Sequence, residues 1–275
     1  MQKSLYENTI TIMGSGTSTG VPLVGCSCPV CTSLDHRDQR LRTSLFIETK
    51  NGQRIIVDTG PDLRTQLLAN KISAIDFAII THEHADHLHG IDDLRPFSFG
   101  PPVKEIPVFT NAPTKAFIEE RYPYIIQAAS RPSLGGGVPR LNIQAVEMEK
   151  TTTINGEDFF FFSYPHGYGV TMGFIHDTFA YVVDCFELPD HLIKILKEKK
   201  LKLLIIDCLQ RRPHQTHLTV EKCFHYIKEI KPERAGLIHM SHDLSHRGLA
   251  DMAQDEFGKN VFPLYDQQKI TYEGT

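Results

Sequence analysis

Residues 75–87, IDFAIITHEHADH, constrain the fold more than any other stretch of the chain. An apolar, strand-like run at 75–81 leads directly into His82-Glu83-His84-Ala85-Asp86-His87. On extended chain, side chains two apart project to the same side, so His82 and His84 point together. Asp86 and His87 follow where the chain turns into a helix. These four side chains converge on a small volume. They offer two nitrogen ligands to one metal ion and a mixed nitrogen–oxygen pair to another. A histidine-rich surface loop is the bland alternative, and it has no need of this spacing directly after a buried strand.

A two-metal centre needs more ligands than one segment supplies, including a carboxylate shared between the ions. His166 in SYPHGYG, Asp184 after AYVV and His239 in GLIHMSHD stand at other expected strand ends. Taken singly, each is ambiguous between ligand and ordinary structure, such as a turn-capping aspartate. Asp184 is the candidate bridge. A second cluster lies in GCSCPVC, where Cys26, Cys28 and Cys31 sit close together. Three thiolates with a fourth ligand make the closed tetrahedral site of a structural zinc. Reduced thiols, or a disulfide with one cysteine left over, are the alternatives. His242 is a candidate fourth ligand. It follows His239 by three residues, so one short segment would serve both centres.

The rest of the chain sets the frame. Its 275 residues are 41% hydrophobic and 23% charged, enough to bury a sizeable core without disulfide staples. No repeat, low-complexity tract or linker divides it, so a single domain over 1–275 is expected, with a zinc-binding insertion at about 24–35. The net charge of −4 provides no field that recruits nucleic acid. No apolar run approaches the roughly 18 residues of a membrane span. MQKSLYENTITIM lacks the apolar core of a secretory signal, and a cytoplasmic location is the expectation.

Strands are expected at 8–13, 42–49, 53–58, 106–110, 159–164, 171–176, 179–184, 202–207 and 235–240, and helices at 61–70, 113–121, 189–199, 217–230 and 247–257. Asn51-Gly52 marks a hairpin, Pro61 opens a helix, and 127–140 with its three glycines reads as a mobile loop. The loop Gly14–Gly20 lacks the Gly-Lys-Ser/Thr ending of a nucleotide cradle and reads as a tight turn. Arg211 and Arg212, just before His214 and His217, face either an anionic substrate or only solvent. No Gly-x-Ser-x-Gly marks a serine hydrolase. His36, His89, His176, His191, His225 and His246 carry no assigned role. Hairpins mixed with peripheral helices indicate a layered α/β sandwich.

THEHADH, with IIVDTG upstream and His166, Asp184 and His239 downstream, resembles the metallo-β-lactamase fold superfamily over about residues 9–245. GCSCPVC and HMSH narrow the resemblance to the branch of the phosphoribosyl cyclic phosphodiesterase of the carbon–phosphorus lyase pathway. The pyrroloquinoline-quinone biosynthesis protein of that superfamily shares the cysteine insertion. The resemblance implies an αββα four-layer sandwich with the site at one edge of the sheets. It implies His82, His84 and His166 on a first ion and Asp86, His87 and His239 on a second, with Asp184 bridging. Asp58 would orient a ligating histidine, His217 would lie near the scissile bond, and Cys26, Cys28, Cys31 and His242 would hold structural zinc. The segment 120–142, with Tyr122 and Tyr124, is longer than its counterpart and would border the site.

The expected function is that of a binuclear metal-dependent hydrolase, a phosphodiesterase on a small cyclic or nucleotide-like phosphodiester. It would use a metal-bridging hydroxide on two divalent ions (zinc, manganese or iron). His217 and Asp86 are its candidate catalytic residues. The alternatives are a hydrolase of thioesters, lactones or RNA ends, and a non-catalytic accessory protein. The sequence leaves the assembly open, a homodimer included.

Overall fold

The computed structural model describes residues 7–99, 103–130 and 137–273. Strands β1 (Glu7–Gly14), β2 (Ser44–Glu48), β3 (Arg54–Val57), β4 (Phe77–Ile79), β5 (Ile106–Thr110) and β6 (Leu141–Ala145) build a first sheet. A second sheet comprises β7 (Lys150–Ile154), β8 (Glu157–His166), β9 (Gly169–His176), β10 (Phe179–Val182), β11 (Leu203–Asp207), β12 (Ala235–Ile238) and β13 (Val261–Pro263). The last strand, β14 (Lys269–Glu273), returns to the first sheet beside β1.

Period-two burial explains the layering. In β3, Ile55 and Val57 face the second sheet while Ile56 faces outward; in β8, Phe159 and Phe161 point in while Phe162 and Tyr164 point out. All these side chains are buried, each contributing on the order of 1.5–3 kcal/mol of transfer free energy. The outer face of the first sheet is covered by helices α1 (Leu63–Ala69), α2 (Ala85–Leu88), α3 (Arg95–Ser98), α4 (Ala112–Arg121) and α5 (Pro123–Ser130). The outer face of the second is covered by α6 (Asp190–Glu198), α7 (Val220–Ile230) and α8 (His246–Phe257). The result is the expected αββα sandwich. Among the described residues no helix is long and apolar enough to cross a membrane.

The topology decides where the site lies. β8 and β10 both run antiparallel to β9, and β10, β11 and β12 are mutually parallel, so all four discharge at one edge. Val182 pairs with Ile206 and Asp207 with Ile238, which sets Asp207 at the last rung of the ladder with Asp184 and His239 just beyond it. The first sheet brings the end of β4 to the same edge, where the Met172 amide donates to the Thr81 carbonyl at 3.0 Å.

The expected mobile loop is only partly as foreseen: 127–130 belong to α5, and 131–136 lie outside the described residues. Four strands, β6, β7, β13 and β14, were not anticipated. The helix expected at 61–70 starts at Leu63, and the Asp62 carboxylate takes the Arg42 amide and guanidinium instead of capping it.

Candidate metal centres

The helix that carries Asp86 and His87 has four residues and no side-chain cap, so something else must hold it. The loop after β3 does. The Thr59 amide donates to the His87 carbonyl and the Gly90 amide to the Thr59 carbonyl, both at 2.7 Å. A Cβ on Gly60 would fall 2.0 Å from the Asp86 carbonyl oxygen, and one on Gly90 2.0 Å from that of Gly60. Only glycine permits that approach.

Asp184 lies at the centre, and its two oxygens divide the histidines between them. Oδ2 is 3.5 Å from His82 Nε2 and 3.4 Å from His166 Nε2. Oδ1 is 3.3 Å from His87 Nε2 and 3.1 Å from His239 Nε2. His84 Nδ1 completes the first set, 3.1 Å from His166 Nε2. Asp86 Oδ2 completes the second, 3.1 Å from His87 Nε2 and 3.6 Å from His239 Nε2. The two sets differ in access: His84 is exposed, whereas Asp86, His87, Asp184 and His239 are all buried. The one exposed ligand therefore lies in the first set.

The chemistry of these atoms tests whether ions belong there. His82 Nε2, His87 Nε2, His239 Nε2, Asp86 Oδ2 and Asp184 Oδ1 are buried without a hydrogen-bond partner. Leaving such groups unsatisfied is costly, and here they converge on common points. A pair of cations satisfies them together. The tautomers agree. His87 Nδ1 lies 2.8 Å from Asp58 Oδ2 and donates to it, leaving Nε2 as the lone-pair nitrogen. Thr81 Oγ1 lies 3.0 Å from Asp58 and 3.0 Å from His82 Nδ1, a relay that frees His82 Nε2 in the same way.

Burial opposes the ionisation of Asp184, but the charges of His239, His87 and His217 overcome it and hold the carboxyl well below its usual range. Burial also opposes a charge on His87, and the Asp184, Asp86 and Asp58 carboxylates outweigh that. The site demands positive charge at its centre, which ions supply in place of protons.

Beside the pair stands a residue the sequence reading missed. Asp207, fully buried at the end of β11, accepts from His217 Nδ1 at 2.9 Å and from the Cys185 amide at 2.9 Å. Its Oδ1 is 4.0 Å from His239 Nδ1. His217 Nε2 therefore points toward Asp184 Oδ2, 3.9 Å away. Burial works against protonating His217, yet Asp207 and then Asp184 push its pKa up to about 9. An apolar run ending in aspartate, LLIID, was the available signal, the same pattern that delivers Asp58 and Asp184.

The cysteine cluster is a separate pocket. Cys26 Sγ and Cys28 Sγ lie 3.3 and 3.5 Å from His242 Nδ1, and Cys31 joins the same group. All six cysteines of the chain are free, so the disulfide alternative falls. The Cys31 amide and then His242 lower the Cys28 thiol to about 6, the thiolate character a metal ligand needs. The chain thus has a binuclear His/Asp cluster and a separate Cys3His cluster.

The other expectations resolve unevenly. Arg212 pairs with Asp243 at 2.7 Å, and Arg211 lines a surface cavity with Glu221 and His225, so neither arginine turns to the metal centre. Gly14–Gly20 is no anion cradle. A Cβ on Gly14 would sit 2.0 Å from the Arg42 carbonyl, and the Met240 amide donates to the Ser15 carbonyl at 3.1 Å. Tyr124 bonds Asp92, and the Tyr122 ring lies 6.5 Å from that of His89, against the start of the first sheet's helical face.

Two seven-stranded sheets with paired ligand sets at one edge define a metallo-β-lactamase-type domain. The chain belongs to the family described as the beta-lactamase superfamily domain, which matches residues 53–240. Within it, the chain is similar to a crystal structure described as a new diphosphatase from the PhnP family. The identity is 31% and the TM-score 0.85, covering 97% of this chain and 98% of that one. Zinc-bound PqqB from Methylobacterium extorquens shares the fold, at 16% identity and TM-score 0.77 over 95% of this chain and 99% of its own. An octanoyltransferase of Porphyromonas gingivalis is 35% identical over 232 residues, 84% of this chain and 45% of that protein. Coenzyme PQQ synthesis protein B of Rhodopseudomonas palustris is 31% identical over 104 residues, 32% of this chain and 34% of that protein. The chain spans less than half the length of these two curated relatives.

Proposed function

We propose that the chain is a binuclear metal-dependent phosphodiesterase acting on a small cyclic or nucleotide-like phosphodiester. One observation carries the reading: the two Asp184 oxygens face separate pairs of histidines, and the Nε2 atoms of His82, His87 and His239 are buried with no hydrogen-bond partner. His82, His84 and His166 would hold one ion and Asp86, His87 and His239 the other, with Asp184 able to serve both. Nitrogen-rich ligation with carboxylates suits zinc, manganese or iron. Cys26, Cys28, Cys31 and His242 would hold a structural zinc. Two divalent ions, when bound, supply nucleophilic hydroxide at neutral pH and neutralise charge on the phosphoryl oxygens.

The remaining steps belong to side chains. Asp58 and Thr81 fix the ring orientations of His87 and His82. Asp86 Oδ2 stands beside His87 Nε2 and His239 Nε2, so its catalytic part is that of a ligand. Substrate enters on the exposed His84 side. His217, held protonated by Asp207, gives its Nε2 proton to the departing alkoxide oxygen. The similarity to a PhnP-family diphosphatase supports phosphoryl chemistry and adds diphosphate linkages to the substrates worth screening.

Acyl transfer, the activity in the name of the Porphyromonas relative, has less support. It calls for a reachable nucleophile, but Cys185, Cys208 and Cys223 are fully buried and the other three cysteines gather on His242. A non-catalytic accessory role, by analogy with the coenzyme PQQ synthesis protein, is the second reading. Turnover of bis-p-nitrophenyl phosphate by the metal-loaded protein, lost on chelation and restored by zinc or manganese, supports the enzyme. Metal binding without turnover of that ester, or of any diphosphate or cyclic phosphodiester screened, leaves the accessory role standing.

A further inference from the structure

Arg40 is a charged side chain with no exposure in a molecule whose other arginines reach solvent in most cases, and nothing in the reaction explains it. Its guanidinium is spent entirely on backbone and one carboxylate. Nη1 donates to the Ser241 carbonyl at 2.9 Å, and Nη2 donates to the Leu244 carbonyl at 2.8 Å and to Asp38 Oδ1 at 2.9 Å. Nε donates to the Arg37 carbonyl at 3.2 Å. Asp38 Oδ1 in turn accepts the His246 amide at 2.7 Å. Arg40 also closes the base of the cysteine insertion through its backbone, exchanging hydrogen bonds with Val21 at 2.7 and 2.9 Å.

Ser241 and Leu244 bracket His242, and Ser241 lies two residues beyond His239. The fork of Arg40 therefore grips the loop that carries one ligand of each metal cluster. From the other side the glycine loop grips the same segment. The Met240 amide donates to Ser15, the Thr17 amide donates to Met240 at 3.2 Å, and Asp266 pins Ser15 through its amide and hydroxyl. His239 itself sits at φ 63°, a left-handed conformation unfavourable for a residue with a Cβ, so the segment needs outside restraint to keep it.

We propose that Arg40 is a positioning residue that couples the Cys3His cluster to the binuclear centre by fixing the loop 239–244. Burying a guanidinium against a single carboxylate is a poor way to gain stability, and an apolar side chain of similar volume does that better. What arginine provides is several donors in one rigid plane, able to hold two carbonyls and a carboxylate in fixed relation. The inference rests on reading His239 and His242 as metal ligands.

The experiment uses the full chain, parent and Arg40→Lys, with Arg40→Met as a second variant. Lysine keeps the charge but is a point donor that cannot span the acceptors. Glu157→Gln is the control for general loss of stability. Glu157 is buried in a hydrogen-bonded group with His176 and Thr49, at the far end of β8 from His166 and roughly 30 Å along the strand. Cobalt(II) is the probe, because thiolate-to-cobalt absorption reports the Cys3His cluster and the weaker visible bands report the His/Asp centre. Competition with a chelator then gives each affinity separately. Arg40→Lys should weaken cobalt at both clusters by about 10–100-fold, the usual cost of losing a group that orients a metal ligand. Glu157→Gln should lower Tm and leave both affinities at parent values. Parent affinities in Arg40→Lys, or equal losses in Arg40→Lys and Glu157→Gln, overturn the proposal. A parent chain that takes up no cobalt at either cluster overturns the ligand reading instead.

Discussion

Replacing Asp207 with asparagine should change how the protein responds to pH more than it changes how it folds. Asparagine keeps an oxygen for the Cys185 amide and for His217 Nδ1 but removes the charge. In the parent, burial pulls His217 down and the Asp207 and Asp184 carboxylates push it up to about 9. The sign follows from its role. A general acid must carry its proton, so kcat is full below that pKa and falls as pH rises through it. At pH 8 a group of pKa about 9 is roughly 90% protonated, and one at the unperturbed histidine value of about 6.5 only roughly 3%. If Asp207 supplies the whole lift, Asp207→Asn costs up to about thirty-fold at pH 8 and little at pH 5.5. Asp184 remains, so the observed loss falls between none and that bound. Bound ions lower the pKa of His217 in both proteins alike, and the displacement between the two profiles is the quantity to read. The assay is the pH dependence of kcat for an alkyl and a p-nitrophenyl phosphodiester, with metal content measured on each sample. The alkaline limb should move to lower pH for the alkyl ester alone, since p-nitrophenolate leaves without a proton. Superimposable profiles, or equal losses for both esters, refute the assignment of His217 as a proton donor set by Asp207.

Three further outcomes follow from the same geometry. His217→Ala should retain parent metal content and lose kcat by about 10²–10⁴-fold on poor leaving groups, the usual range for general-acid help; loss of an ion on metal analysis would make His217 a ligand instead. Cys28→Ser should release zinc from the Cys3His cluster, lower Tm and weaken metal at the His239 half; chelator titration finding that half unchanged would show the two centres to be independent. Tyr168, fully exposed at the tip of the β8–β9 turn two residues beyond His166, stands at the open side of the site. Tyr168→Ala should raise KM for substrates that carry a planar ring and leave metal content alone, and an equal KM change for ring-free phosphodiesters would remove it from recognition.

How much of this could be read in the sequence depended on whether the signal was local. His82, His84, Asp86 and His87 declare themselves because strand and helix geometry alone converge them. The cysteine cluster does so because its spacing is short. His166, Asp184 and His239 are legible only as ambiguous candidates at strand ends, because the sheet order that brings them together is in no local pattern, and the family resemblance supplied their assignment to one ion or the other. Asp207 was missed although LLIID resembles the runs that deliver Asp58 and Asp184, because its partners, His217 and the Cys185 amide, lie 10 and 22 residues away and give it no motif of its own. β7 and β14 escaped because they are edge strands with largely polar, exposed faces: of Lys150–Ile154 only Ile154 is buried. Arg211 and Arg212 left an anion site and a solvated turn equally open because charge is visible in a sequence, whereas the Asp243 that pairs with Arg212 is not visible as its partner.

The strain at the site follows one rule that connects these residues. Asp58, Asp184 and His239 each come directly or nearly directly after a strand, and each has positive φ, at 63°, 53° and 63°. A β-strand aims successive side chains to opposite faces of its sheet and cannot point a terminal residue along the strand axis. A left-handed residue breaks that alternation and turns the side chain into the space beyond the sheet edge, where the clusters lie. Each such conformation costs on the order of 1–3 kcal/mol, which aspartate and histidine tolerate better than branched residues. The apolar contacts between the two sheets offset that cost: at the strands concerned Ile55, Val57, Tyr181, Val183 and Ile238 are all fully buried. The sandwich is therefore more than a platform for the metal centre. Its stability is what allows three chain turns that would be unfavourable in isolation, and those turns bring two ligands from the second sheet, and from the first the carboxylate that orients His87, to one edge.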